Sequence, residues 1–181
     1  MAMRAKSGRG VILAAAALAA ALAAGPAGAD TRRDEALREA ARDAVLDYPY
    51  YGVFDSVELG VENGVVMLRG SVRHGWRKEE IGRRVARVDG VREVRNEISV
   101  QPVSFNDDRL RAELYRRIYG TVLERFADTL HPPVRIIVEN GNVTLTGFVN
   151  SQVEKVQLDT IVRSTLSFAV ENRVQVENGG I

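Results

Sequence analysis

Beginning at Val57 the chain alternates apolar and polar positions: Val57, Leu59 and Val61, then Asn63-Gly64, then Val66 and Leu68. The same alternation returns at Val134, Ile136 and Val138, Asn140-Gly141, and Val143 and Leu145. Period two with β-branched residues predicts strands that bury one face. Asn-Gly between them predicts a type I′ turn, because both residues must take φ > 0 and the twist of that turn matches the strands. Each block is therefore a β-hairpin. Gly70 and Gly147 close its second strand, where a bulge or a close backbone approach favours glycine. At an offset of 77 residues, segments 57–72 and 134–149 share nine identities in sixteen positions, with every spacing kept. The chain holds two copies of one unit.

Around each hairpin the period changes to that of a helix. Leu37, Ala41 and Val45 precede the first hairpin at i, i+4, i+8, and Leu110, Leu114 and Ile118 precede the second. After the first, Ile81, Val85 and Val88 share one face; after the second, Leu158, Ile161 and Val162 follow a Ser151–Glu154 capping box. A last strand closes each copy, with Val94, Ile98 and Val100 answered by Val170, Val174 and Val176 at an offset of 76. The turn into it is Asp89-Gly90-Val91 in the first copy and Leu166-Ser167-Phe168 in the second. The second copy also has four more residues before its hairpin, where Val122, Phe126 and Leu130 predict further helix stopped by Pro132-Pro133.

Each module thus reads αββαβ, an α+β fold in which a small three-stranded sheet is packed by two helices on one face. The modules span 30–101 and 107–177, with a short linker at 102–106 and a tail at 178–181. A link that short predicts contact between them. The other sheet face holds Glu58, Glu62 and Arg69 in the first copy and Arg135, Glu139, Thr144 and Thr146 in the second, as expected of an antiparallel sheet with one solvated side.

The first 29 residues stand apart. Arg4, Lys6 and Arg9 precede an apolar run at 11–24, then Pro26 and the small-x-small triplet Ala27-Gly28-Ala29. A run of 14 falls short of the roughly 20 residues a membrane span needs, and its flanks are those of a secretory signal cleaved after Ala29. Removing its three cations from a chain of 25 cations and 24 acids leaves a net charge of −2, which gives no electrostatic case for nucleic acid. There is no cysteine, which excludes disulfides, thiolate metal sites and an acylated cysteine anchor. The expected location is the periplasm.

The pattern V-x-x-G-x-V-x-L-x-G-x-V, an amphipathic helix, and then G-V-x-x-V-x-N-x-I-x-V resembles the BON domain, the αββαβ module of hyperosmotically inducible periplasmic proteins and related envelope proteins. The first copy carries it from Val61 to Val100, including Gly90-Val91, Val94, Asn96 and Ile98. The second carries it from Val138 to Val176, with Asn172 kept and the Gly-Val pair replaced at Ser167-Phe168. The resemblance implies a role in envelope stability under osmotic stress, with phospholipid as the ligand proposed for the domain.

Catalytic chemistry finds no footing. His74 and His131 lie one in each module without partners at ligand spacing, no serine sits in a G-x-S-x-G elbow, and no glycine-rich phosphate loop occurs. No enzyme activity, metal or cofactor is expected. Segment 73–78, Arg-His-Gly-Trp-Arg-Lys, is the first candidate surface: Arg73, Trp76, Arg77 and Lys78 suit an anionic lipid headgroup layer. The alternative is that Trp76 extends the core or packs between modules. A second candidate comprises Arg111, Tyr115, Arg116 and Tyr119, whose arginines otherwise form a helix's wet face. Tyr48, Tyr50, Tyr51 and Phe54 form an aromatic cluster read as a cap on the first core. Two functions remain open at this level: peripheral binding of anionic phospholipid, and docking of an envelope protein through a sheet face or edge strand.

Overall fold

The computed structural model describes residues 27–127, 129 and 131–177. The expected signal segment up to residue 26, Leu130 and the tail 178–181 lie outside the described residues. Module 1 runs α1 (Ala27–Leu46), β1 (Ser56–Glu62), β2 (Val65–Val72), α2 (Gly75–Val85), β3 (Glu93–Asn96) and β4 (Ser99–Val100). Module 2 repeats this as α3 (Phe105–Arg117), β5 (Val134–Glu139), β6 (Asn142–Val149), α4 (Gln152–Arg163), β7 (Ala169–Asn172) and β8 (Gln175–Val176). The extra residues expected to be helical after α3 form a π turn, Ile118–Val122, and a 3-10 turn, Glu124–Phe126.

The hairpins are as their turns predict. Asn63 and Gly64 have φ of 50° and 77°, and Asn140 and Gly141 have 52° and 77°. Gly70 and Gly147 are required by close approach: a Cβ there would stand 2.2 Å from the Ser56 carbonyl oxygen or 2.0 Å from that of Pro133. The sheets differ from the antiparallel expectation. β1 pairs antiparallel with β2, but β3 and β4 both run parallel to β2, and β7 and β8 likewise to β6. The crossover helix between the second and third strands forces this direction. The third strand is also broken in two. At the break Asn96 donates from Nδ2 to the Lys78 carbonyl (2.8 Å) and accepts from the Ile98 N–H (3.3 Å); Asn172 does the same with Lys155 and Val174. The asparagine of the repeated motif thus ties the strand break to the helix and turns Ile98 or Val174 into the core.

Each module has its own core. Leu37, Ala41, Val45, Val66, Leu68, Ile81, Val85 and Ile98 build the first, and Leu110, Leu114, Ile136, Val143, Leu145, Leu158, Val162 and Val174 the second. One further residue in each module ties its first helix to its own hairpin. Asp34 in α1 accepts from the N–H groups of Asn63 (2.7 Å) and Gly64 (3.1 Å), and Asp107 in α3 from those of Asn140 (2.9 Å) and Gly141 (2.8 Å). A carboxylate is thereby locked onto each hairpin turn. The signal was present as Asp-x-x-Leu at 34–37 and 107–110.

Candidate functional site

The modules touch, and the segment 52–54 makes the joint. The Val53 carbonyl accepts from the Ile136 N–H (2.8 Å), and the Gly52 carbonyl from Arg135 (2.9 Å), whose guanidinium lies 4.5 Å from the Tyr51 ring centre. Val53 and Phe54 pack on the second core, Phe54 edge-on to Tyr115. Tyr48 and Tyr51 cap the first core as expected, whereas Phe54 belongs to the second. Arg135 was expected on an open polar face; it and Ile137 are buried instead, because module 1 covers that part of the sheet.

Asp55, fully buried, holds this joint in shape. Its carboxylate accepts from the Gly52 and Arg73 N–H groups (2.9 and 2.8 Å) and from the Arg77 guanidinium (2.5 Å). The first candidate surface therefore divides. Arg77 turns inward to Asp55, and Arg73 pairs with Asp108 of α3 at 2.9 Å. Lys78 forms no ion pair among the described residues, while its backbone carbonyl accepts from Asn96. Trp76 is not a core residue. It stacks on His74 and stands edge-on to Tyr48 and Tyr50, leaving Trp76 47% and Tyr50 61% exposed.

The second candidate surface does not assemble. Arg111 is 2% exposed: it donates to Asp108 (2.6 Å), Gln101 (2.9 Å) and the Val138 carbonyl. Burial, together with nearby Arg73, lowers its pKa, but an arginine shifted from so high a value stays charged. Tyr119 is buried with its hydroxyl on the Val134 carbonyl, and burial raises its pKa. Tyr115 is half-buried against Phe54, so of this set only Arg116 is exposed. Gln101 and Phe54 of module 1 cover Arg111 and Tyr115, while Tyr119 folds into its own module's core against Val134.

A different surface stands open at the other end of module 2. Leu166 and Phe168 are 102% and 89% exposed at the turn between α4 and β7, and Val103 and Phe105 are 102% and 76% exposed at the start of α3. Phe168 is held in place by its N–H on the Gly141 carbonyl (2.9 Å), so this corner rests on the same turn that Asp107 clamps. A groove of about 660 Å³ lies between, lined by Asp107, Arg109, Glu113, Arg116, Leu166 and Phe168 among others. Arg109 and Arg116 are exposed and form no ion pair among the described residues. Sequence reasoning did not single out this corner as a surface, although Leu166-Ser167-Phe168 in place of Asp89-Gly90-Val91, with two large apolar residues in a turn, was its signal. Among the described residues no cluster of histidine, aspartate or glutamate could hold a metal, and no helix is long and apolar enough to cross a membrane.

A family model described as BON domain matches residues 33–102 and 106–179. No curated protein matches the chain. Among solved structures, the chain is similar to CdsD, a structural protein of the type III secretion system of Chlamydia trachomatis, at 14% identity and a TM-score of 0.31, over 78% of this chain and 92% of that one. A second structure, the C-terminal domain of CdsD, gives 15% identity and a TM-score of 0.28 over 81% and 96%. Likeness at that level carries no functional argument.

Proposed function

The chain belongs to the BON domain family, a non-catalytic, envelope-associated domain type, and from that premise we propose that it is a peripheral binder of anionic phospholipid surfaces in the periplasm. One observation carries the reading: exposed Leu166 and Phe168 line one groove with Arg109 and Arg116, which form no ion pair among the described residues, and Val103 and Phe105 stand exposed at the start of the helix that carries those arginines. Apolar side chains that enter the acyl boundary with cations at phosphate level are the chemistry of interfacial binding. Burying Leu166 and Phe168 contributes roughly 1.5–3 kcal/mol each, and a cation at an anionic surface about 1 kcal/mol. Insertion is therefore the larger share, and the arginines select the anionic headgroup.

Trp76 and Tyr50 form a smaller second contact in this reading, since Arg73 and Arg77 are engaged by Asp108 and Asp55. Co-sedimentation with phosphatidylglycerol and phosphatidylcholine vesicles at low and physiological salt tests it. Selective binding to the anionic vesicles is expected, abolished by Leu166→Ser with Phe168→Ser and weakened by Arg109→Gln with Arg116→Gln. Trp76→Ala should weaken it less. No binding to anionic vesicles at low salt would refute the lipid function; binding lost only with Trp76→Ala would move the site to segment 73–78.

A further inference from the structure

An asparagine followed by glycine can cyclise without a partner protein. Hydroxide takes the proton of the glycine N–H, and the nitrogen forms a bond to the asparagine Cγ. The Cγ–Nδ2 bond breaks, and ammonia leaves with a proton from water. Water then adds across one C–N bond of the imide and gives aspartate or isoaspartate. Glycine favours the attack because no Cβ obstructs its nitrogen. Both hairpin turns carry the pair in the same setting, Glu62-Asn63-Gly64 and Glu139-Asn140-Gly141, with both asparagines exposed at φ of 50° and 52°. Their intrinsic reactivities are therefore alike, and what surrounds them differs. A third pair, Asn178-Gly179, lies outside the described residues.

In each module an aspartate holds the proton that must leave. Asp34 Oδ1 accepts from the Gly64 N–H at 3.1 Å, and Asp107 Oδ1 from the Gly141 N–H at 2.8 Å. A carboxylate there opposes the anion that the reaction requires. Asp107 is 1% exposed, whereas Asp34 is half-buried. On the other side of the turn the copies part. Arg92 Nη1 donates to the Asn63 carbonyl at 3.2 Å, and that oxygen shares the negative charge of the Gly64 amidate. Its counterpart Phe168 has no side-chain donor and lays its ring against Gly141, where a Cβ would stand 2.6 Å from it. A pocket of about 260 Å³ bounded by Arg33, Asp34, Asn63 and Arg92 leaves room at the first turn for the water of the second step.

We propose that Asn63 is a site of self-deamidation, restrained by Asp34 and promoted by Arg92, and that Asn140 is protected from it. Conversion places a new carboxylate at residue 63, beside the two carboxylates of Asp34 and Glu62. Like charges there loosen the hold of α1 on its hairpin. Isoaspartate also inserts a methylene into the backbone of a turn that has no slack. Module 1 therefore ages at its turn, and module 2 does not.

The test holds the full protein and its variants at mildly alkaline pH and follows the mass and isoaspartate content of the two turn peptides. Asn63 is expected to convert first in the native protein, and both asparagines to convert alike in guanidinium-unfolded protein. Asp34→Ala should speed Asn63 about tenfold, the factor given by about 1.4 kcal/mol of lost hydrogen bonding, and leave Asn140 unchanged. Arg92→Met should slow Asn63 severalfold, whereas a variant that merely loosened the fold would speed it. Equal native rates, an Asn63 lead that persists after unfolding, or a joint rise at both asparagines in Asp34→Ala would each overturn the proposal. So would an Asn63 rate unchanged by Arg92→Met. The lipid reading stands or falls separately, because this turn lies in module 1 and the Leu166–Phe168 corner in module 2.

Discussion

Val57, Leu59 and Val61 of β1 match Val134, Ile136 and Val138 of β5 in the repeat, yet the first three are half-buried and the second three fully buried. The side chains are nearly the same, so the difference comes from what lies beside them. β5 is covered by segment 52–54 and by Arg111 folded over its edge, where Gln101 of module 1 accepts from its guanidinium. β1 has no such cover. A tandem repeat on a short link cannot treat its two copies alike: the first donates the segment that the second receives, and the first is left with an open edge.

Removing the device that shapes the donated segment should have the largest effect. Asp55→Ala strands the Arg77 guanidinium and two backbone N–H groups, and a broken buried pair of this kind costs about 3–5 kcal/mol. Urea denaturation should show that loss, and the Asp55→Ala, Arg77→Met double variant should recover part of it. Where the copies are alike, their responses should be alike. Gly70→Ala and Gly147→Ala each drive a Cβ into a carbonyl oxygen at φ of 110° and 118° and should each cost on the order of 3 kcal/mol. Unequal losses would mean that one module leans on the other for its hairpin.

The copies should part again at the helix arginines. Arg111→Ala removes a buried side chain with three hydrogen-bond partners and is expected to cost about 2–3 kcal/mol. Arg38→Ala loses one exposed ion pair and should cost about 0.5 kcal/mol or less. Equal effects would show that the burial difference has no energetic content. The smallest expected signal is also the most direct: in hydrogen exchange the Ile136 amide should be protected and that of Leu59 should exchange early, because only one has an acceptor.

The elements, their order and their duplication could all be read from the chain, because hairpin and helix periodicities are local and Asn-Gly permits few turns. The Asp34 and Asp107 clamps were in principle legible too, as one more pair at the spacing of the first helices. Strand direction followed less easily, since a helical crossover makes β3 and β7 parallel to their neighbours although nothing in either strand says so. What only the tertiary structure decided is which face of each arginine-bearing helix meets solvent. Arg111 and Tyr119 look like a wet, basic, aromatic surface in one dimension; Arg111 is enclosed between Gln101 and the β5 edge, and Tyr119 folds into the second core against Val134. Leu166 and Phe168 look like turn residues, and they are exposed because the corner projects where neither core reaches. Burial depends on the neighbours of a surface, and at the joint between the modules those neighbours come from far along the sequence, as with Gly52 and Arg135 at a separation of 83 and Ser56 and Thr146 at 90. Local pattern is blind to that distance.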